Sequence, residues 1–169
     1  IIMTVKVIFP ASMKNVGLLY HFTFLSIELA KSFRNSNYSF LMVSEKNEQN
    51  NGLWDKIYQE LTSEEFEICE NYKEFTSIYK RYLEDSSFDK VIVLTQGIMQ
   101  VVDCFSLKRK FGDKFIVYTR LNSFYHGSIF RIPLTYILSF FYSKICDIVN
   151  FQCDYTSSIF INSQRIINQ

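Results

Sequence analysis

Glycine and proline are scarce in this sequence of 169 residues, which contains five and two of them respectively. Long helices and strands are therefore expected to outnumber tight turns. The few glycines form no G-x-G-x-x-G segment, so nothing lets a backbone approach a pyrophosphate closely, and an NAD or S-adenosylmethionine site is disfavoured. The sequence also lacks a P-loop and a G-x-S-x-G nucleophile elbow.

Cysteine and histidine are equally sparse. The four cysteines show no C-x-x-C spacing, so no zinc or other metal site is predicted and reduced, mostly buried thiols are expected. With only two histidines, no convincing Ser–His–Asp triad can be assembled. These residues are Cys69, Cys104, Cys146, Cys153, His21 and His126.

An excess of either charge is also lacking, since 18 Lys and Arg face 17 Asp and Glu. This balance argues against a nucleic-acid partner. The longest uncharged apolar-rich run, residues 132–143, falls short of the roughly 20 residues that span a bilayer. Residues 1–10 lack the charged and apolar regions of a signal peptide, and a cytoplasmic protein is expected.

What the sequence does contain is abundant apolar character, at 48%, arranged in short runs between stretches of helical periodicity. Several runs are continuously apolar, which is typical of parallel strands buried on both faces. The run at 66–69 is more polar and predicts an edge or shorter strand. The predicted strands are residues 5–9, 38–43, 66–69, 90–94, 115–118 and 148–151.

The intervening segments predict helices. Phe75, Ile78, Tyr79, Tyr82 and Leu83 form an apolar stripe in one of them. A single helix is predicted from residue 98 to 110, with cations in its last turn and Gly112 after its end. Further helices are expected at about 133–146 and from about 156 onward.

Strict alternation of strands and helices predicts right-handed crossovers. We therefore expect an α/β, Rossmann-like, doubly wound and mainly parallel sheet of about six strands, with helices on both faces. Residues 1–169 are expected to form a single domain.

Ligands of such sheets bind beyond the carboxyl ends of the strands. In the first of these loops, residues 10–21, Gly17 either opens a helix N-terminus toward an anion or is a simple turn glycine. His21, placed in the first turn of the next helix, is either functional or a packed polar residue. After the fourth strand, Gln96 could bind sugar hydroxyls and Gly97 permits close approach, or Thr95 simply caps the following helix.

The loop at residues 119–128 is the richest in polar groups, with Arg120, Asn122 and His126. It is a candidate anion or sugar site, although a long solvated connection would look similar. In the last loop, Asp154 and Thr156 are read as helix N-caps. The apolar segment 124–142, with Arg131 and Lys144 nearby, either packs on the sheet or touches a membrane surface.

Three segments carry a family resemblance. They are GLLYHFTFLSIELAKSF (17–33), FDKVIVLTQGIMQVVDCFSLKRKFGDKFIVYTR (88–120) and SKICDIVNFQCDYTSSIF (143–160). In this order and spacing, they resemble the N-terminal domain of a GT-B glycosyltransferase of the retaining family-4 type, over essentially the whole chain. Such domains bind the acceptor, while a second Rossmann domain holds the nucleotide-sugar.

The resemblance implies a hexosyltransferase acting in polysaccharide, lipopolysaccharide or glycolipid synthesis. Gly17 matches the glycine loop that approaches the donor diphosphate, and His21, Gln96 and Gly97 join the donor- and acceptor-binding set. No histidine directly follows the fifth strand, where the family carries one. The catalytic, acceptor-orienting role therefore passes to the polar residues Arg120, Asn122 and His126.

The implied partners are a glycan or glycolipid acceptor, a nucleotide-sugar donor, and a C-terminal domain or partner subunit that holds this donor. No cofactor, metal or nucleic acid is expected. Because the donor half is not in the sequence, the chain alone is expected to be inactive. Peripheral contact with the inner face of the membrane is a further expectation. The alternative is a stand-alone binding or accessory module that partners a separate donor-binding subunit.

Overall fold

The computed structural model describes residues 3–11, 16–46, 51–71, 73–121 and 132–151, together with Ser158 and Ile161. Within them, strands and helices alternate as predicted. The elements are β1 (Val5–Ala11), α1 (Val16–Phe33), β2 (Tyr38–Glu45), α2 (Asn51–Glu60), β3 (Phe66–Cys69), α3 (Glu74–Glu84), β4 (Lys90–Thr95), α4 (Ile98–Asp103), α5 (Phe105–Phe111), β5 (Phe115–Leu121), α6 (Ile132–Ile145) and β6 (Ile148–Phe151). The helix expected from about residue 156 falls outside the described residues, apart from Ser158 and Ile161.

The described strands form one six-stranded parallel sheet in the order β3-β2-β1-β4-β5-β6. The predicted α/β Rossmann-like fold is therefore confirmed. Strand β3 lies at one edge of this sheet, as its polar sequence predicts. The chain moves outward in one direction from β1 to β3 and in the other from β4 to β6, which is the doubly wound arrangement.

The chain divides into two compact units, Ile1–Val93 (unit 1) and Leu94–Gln169 (unit 2). In unit 1, every residue of β1 is buried, and six of the eight residues of β2 are buried beside it. Helix α3 buries four of its five predicted stripe residues, while Tyr82 stays partly exposed. Continuous burial of β1 and β2 is what a parallel strand covered on both faces requires.

Arg34, just after α1, binds the segment that leads into β3. Its guanidinium donates to both carboxylate oxygens of Glu65, at 2.7 and 2.6 Å, and to the carbonyl of Glu60 at 2.7 Å. The hydrogen bond from Arg34 holds the pKa of Glu65 below its usual value. This bidentate pair connects the C-terminal end of α1 to the start of β3.

The single helix predicted for residues 98–110 is wrong, because it is divided at Cys104 into α4 and α5. The Cys104 thiol donates to the carbonyl of Gln100 at 3.1 Å. The Cys104 backbone N–H instead bonds the carbonyl of Val101 at 3.1 Å, a tighter turn than the α-helix makes. Gly112 follows α5 at φ +52°, which confirms it as the glycine that ends the helix.

Strand β5 runs to Leu121, so Thr119 and Arg120 are strand residues and not loop residues as predicted. Pairing with β6 explains the extension. Thr119 lies opposite Val149, and Arg120 lies opposite Asn150. Hydrogen bonding along this ladder keeps the backbone extended beyond the apolar run.

A charge cluster of half-buried Lys108 and exposed Asp147 joins α5, β5 and the start of β6 in unit 2. The Lys108 ammonium donates to both oxygens of Asp147, at 2.6 and 2.7 Å, and to the carbonyl of Phe115 at 2.7 Å. The backbone N–H of Val117 also donates to Asp147, at 2.9 Å. The Asp147 carboxylate therefore accepts three hydrogen bonds from two donors, one on α5 and one on β5.

We expect Asp147→Ala to lower the free energy of unfolding by about 2 kcal/mol, measured by urea denaturation. Hydrogen bonds to charged groups contribute about 1.5–3 kcal/mol, and the variant leaves the Lys108 ammonium with the carbonyl of Phe115 but without the Asp147 carboxylate. Glu70→Ala is the control, because the Lys46–Glu70 pair spans 3.7 Å between exposed side chains. That variant should cost less than about 0.5 kcal/mol. Equal losses in the two variants would contradict the stabilising role of the cluster.

Candidate functional site

The carboxyl ends of β4 and β5 meet at one edge of the sheet in unit 2. Thr95, the last residue of β4, is buried, and its hydroxyl donates to the carbonyl of Tyr118 at 3.0 Å. The alternative that Thr95 caps the following helix is therefore wrong, since the N-cap residue is Gly97. This hydrogen bond places Gln96, Gly97 and the end of β5 at the same edge.

Gln96 and Gly97 form the short connection from β4 to α4. The Gln96 backbone N–H donates to the side-chain oxygen of Gln100 at 2.7 Å. The Gln96 side chain itself is half-exposed. Apart from Gly97 itself and its two chain neighbours, no atom of the described residues lies within 4 Å of where a Cβ on Gly97 would stand. The connection therefore leaves open space next to an amide side chain, as a bound ligand requires.

Arg120 lies on the same face of the sheet as Tyr118 and Asn150. Residues Tyr118 and Arg120 are two apart on β5, so they point to one face, and Asn150 is the register partner of Arg120 on β6. The Asn150 amide donates to the Tyr118 hydroxyl at 2.6 Å. Arg120 and Asn150 are exposed, and Tyr118 is half-exposed.

This trio offers complementary recognition chemistry on one face of the sheet, toward the carboxyl ends of β5 and β6. Arg120 supplies a planar fork of N–H donors suited to a phosphate or carboxylate. The Tyr118 ring presents an apolar face, and the Asn150 amide offers both a donor and an acceptor to hydroxyl groups. Sequence reasoning identified Arg120 but missed Tyr118 and Asn150, whose pairing depends on the register between β5 and β6.

The remaining predicted site residues fall elsewhere. Gly17 lies in the first turn of α1, in unit 1. His21 was expected in the first turn but lies in the second, because α1 already begins at Val16. Asn122 and His126 lie outside the described residues. The structure therefore brings together Gln96, Gly97 and Arg120 of the predicted set.

The cysteines are poor candidates for a nucleophile. Cys69 and Cys104 are free and buried, as predicted, and Cys146 is half-buried. Burial raises the pKa of Cys69 and of Cys146 to about 12, and it raises the pKa of Cys104 as well. These thiols stay protonated at neutral pH and lack nucleophilic character. Cys153 lies outside the described residues.

Sequence comparison identifies no relative of this chain: no protein-family model matches it, and no curated protein matches it. The class of protein therefore rests on the α/β Rossmann-like fold. In the part of the chain that the structure describes, no group of three or more His, Cys, Asp or Glu could hold a metal ion. No helix there is long and apolar enough to cross a membrane.

A buried lysine in unit 1 is a second unusual feature, and sequence reasoning missed it. Lys6, on β1, is 3% exposed. Its ammonium donates to the Ser39 hydroxyl at 2.8 Å and lies 4.7 Å from the ring centre of Tyr82 and 5.9 Å from that of Phe88. The signal was present, since Lys6 is the one charged residue in the run VKVIF.

Burial lowers the pKa of Lys6 from 10.5 to about 8, although Glu64 partly opposes the shift. Between these two pH values the unfolded chain binds more protons than the folded chain. The contribution of Lys6 to stability therefore increases as the pH rises from about 8 to 10.5.

We expect Lys6→Met to remove this increase, because the variant buries no ammonium group. At neutral pH it should be at least as stable as the parent. Urea midpoints of the parent and the variant, measured from pH 7 to pH 10, test this. The difference between the two midpoints at each pH removes the effect of the cysteines and tyrosines, which titrate in the same range in both proteins. Lys80→Met, at an exposed position on α3, should retain the parent's pH dependence. The same pH dependence in parent and Lys6→Met would contradict the assignment.

Proposed function

We propose that this chain is the acceptor-binding half of a nucleotide-sugar-dependent glycosyltransferase of the GT-B type. In this proposal it binds a glycan or glycolipid, and a donor-binding domain or subunit delivers the sugar with retention of configuration. The observation that carries the proposal is the polar trio of Arg120, Tyr118 and Asn150 at the carboxyl edge of the sheet.

The fold supports the position of this trio. Doubly wound sheets bind their ligands beyond the carboxyl ends of the strands, and Arg120 and Asn150 are each next to last in β5 and β6. Arg120 and Asn150 are exposed at that edge. Exposed polar side chains at this position can bind a ligand, whereas the buried Thr95 hydroxyl joins β4 to β5.

Each side chain of the proposed site has a separate role in binding the acceptor. Arg120 binds an anionic group of the acceptor, such as a phosphate, and so orients the hydroxyl that receives the sugar. Tyr118 packs its ring against a sugar face, while Asn150 and Gln96 bind hydroxyl groups through their amides. Gly97 leaves the space in which the acceptor lies. Orientation of this kind reduces the entropic cost of bringing two substrates together.

Stabilisation of the leaving nucleoside diphosphate is the second requirement of the reaction. We assign the approach to the donor diphosphate to the start of α1, where Gly17 lies in the first turn. The free N–H groups of an 18-residue helix favour an anion at this end. Residues Asn122 and His126 complete the proposed acceptor set.

We expect this chain to bind oligosaccharides in saturation-transfer NMR, with a panel of neutral and phosphate-bearing oligosaccharides as probes. Arg120→Ala should weaken binding of the phosphate-bearing probes about tenfold or more, because it removes a charge-assisted hydrogen bond. Asn150→Ala should weaken neutral and phosphate-bearing probes alike. Arg120 is exposed, so Arg120→Ala should leave thermal unfolding unchanged. Asn150→Ala removes the hydrogen bond to the Tyr118 hydroxyl, so it should lower the free energy of unfolding by about 1 kcal/mol.

The control is Lys73→Ala, which removes an exposed cation of unit 1, away from the trio. It should leave oligosaccharide binding unaltered. UDP-glucose and GDP-mannose serve as donor probes. Turnover of either nucleotide-sugar by this chain alone would contradict the proposal of an acceptor half, and binding of none of the oligosaccharides would contradict the site.

A further inference from the structure

Helix α6 presents an apolar stripe to solvent. Ile137 and Phe140 are 52% and 42% exposed, and the spacing of three and four residues places Phe141 and Lys144 on the same helix face. The rings of Phe140 and Phe141 meet edge to face at 6.0 Å, and the Lys144 ammonium lies 5.8 Å from the Phe140 ring centre. A contiguous row of exposed apolar side chains that ends in a cation is typical of a surface that binds a partner.

Helices α4 and α5 show the same combination. Met99 is 64% exposed and Phe105 is 42% exposed. The Arg109 guanidinium lies 5.8 Å from the centre of the Phe105 ring. A shallow pocket next to this ring is lined by Phe105, Ser106, Arg109 and Lys110. Two cations and a hydroxyl beside an aromatic ring form a concave, positively charged surface.

These two patches belong to one helical layer. Helix α4 packs against α6 within unit 2. The crossovers from β4 to β5 and from β5 to β6 step in the same direction, and right-handed crossovers of this kind place their helices on one side of the sheet. We call this surface the outward face of α4–α6, defined by Met99, Phe105, Arg109, Ile137, Phe140 and Lys144.

The charge of unit 2 matches an anionic partner. Residues 94–169 contain eight Lys and Arg, four Asp and no Glu, which is a net charge of +4. Residues 1–93 contain ten Lys and Arg against thirteen Asp and Glu, a net charge of −3. Of the four aspartates of unit 2, Asp147 is already bound to Lys108. The near-zero charge of the whole chain therefore conceals a basic unit.

We propose that the outward face of α4–α6 binds the surface of a membrane that contains anionic phospholipids. Ile137, Phe140 and Met99 insert among the acyl chains close to the headgroups. Arg109 and Lys144, whose charged groups lie near the rings of Phe105 and Phe140, bind lipid phosphates. Exposed Met and Ile side chains suit acyl chains better than a nucleic acid, since they neither stack on bases nor bind phosphates. The proposal does not depend on the glycosyltransferase assignment.

The test is sedimentation of the full chain with vesicles of phosphatidylcholine, alone or mixed about two to one with phosphatidylglycerol. We expect binding to the mixed vesicles, weak binding to phosphatidylcholine alone, and release at high salt. The triple variant Arg109→Gln, Lys110→Gln, Lys144→Gln should bind about 100-fold more weakly, at about fivefold for each cation. The double variant Ile137→Ser, Phe140→Ser should bind the mixed vesicles about tenfold more weakly, because it loses apolar insertion.

Matched controls lie in unit 1. Lys31→Gln, Lys73→Gln, Lys80→Gln makes the same change in net charge, and Phe24→Ser, Tyr58→Ser removes two exposed aromatic rings. Neither control should alter vesicle binding, and far-ultraviolet circular dichroism should show every variant folded.

Three outcomes would overturn the proposal. The first is no binding to mixed vesicles, or equal losses in the unit 2 variants and their controls. The second is tighter binding to a single-stranded oligonucleotide than to vesicles, which would make the face a nucleic-acid surface. The third is a dimer in analytical ultracentrifugation that Ile137→Ser, Phe140→Ser dissociates, without vesicle binding by the parent. That result would make the face an interface between copies of the chain.

Discussion

Burial of β1 on both faces is the constraint on which the rest of unit 1 depends. A parallel strand paired on both sides satisfies its backbone within the sheet, so its side chains must be covered above and below. Even Lys6 obeys this rule, and its ammonium is accommodated by Ser39 and the ring of Tyr82. Because the side chains of β1 are used in packing, the groups that bind a ligand must lie at the carboxyl ends of the strands.

The fold was largely predictable because continuous apolar runs and helical periodicity are local properties. The positions of β3 and β6 follow from four-residue runs that match the structure at both ends. The break at Cys104 was not predictable, because neither glycine nor proline marks it. At the break, the Cys104 thiol donates to the carbonyl of Gln100, which in a continuous α-helix would accept from the Cys104 backbone N–H. The extension of β5 to Leu121 depends on pairing with β6, which no local pattern encodes.

The candidate site was predictable only in part, for a related reason. Gln96, Gly97 and Arg120 could be placed at one edge because all parallel strands end at the same side of a sheet. Tyr118 and Asn150 were missed because their contact joins residues 32 positions apart in the chain. Such a contact requires the register of two strands, and register follows from the packing of the whole sheet. Polar residues in loops can be predicted as site residues from the sequence. Polar residues within strands are not predicted, because the apolar pattern around them indicates only a buried strand.

Unequal distribution of charge links the two proposals made for unit 2. A membrane-bound acceptor is confined to a thin layer, so a protein held at that surface meets it at a much higher effective concentration than in solution. A soluble polysaccharide would gain nothing from the same attachment. If the outward face of α4–α6 binds anionic lipid and the trio around Arg120 binds an acceptor, then a lipid-linked glycan with a phosphate is the acceptor that uses both surfaces. The trio around Arg120 then binds the glycan headgroup, and the outward face of α4–α6 holds the protein at the membrane in which this glycan is anchored.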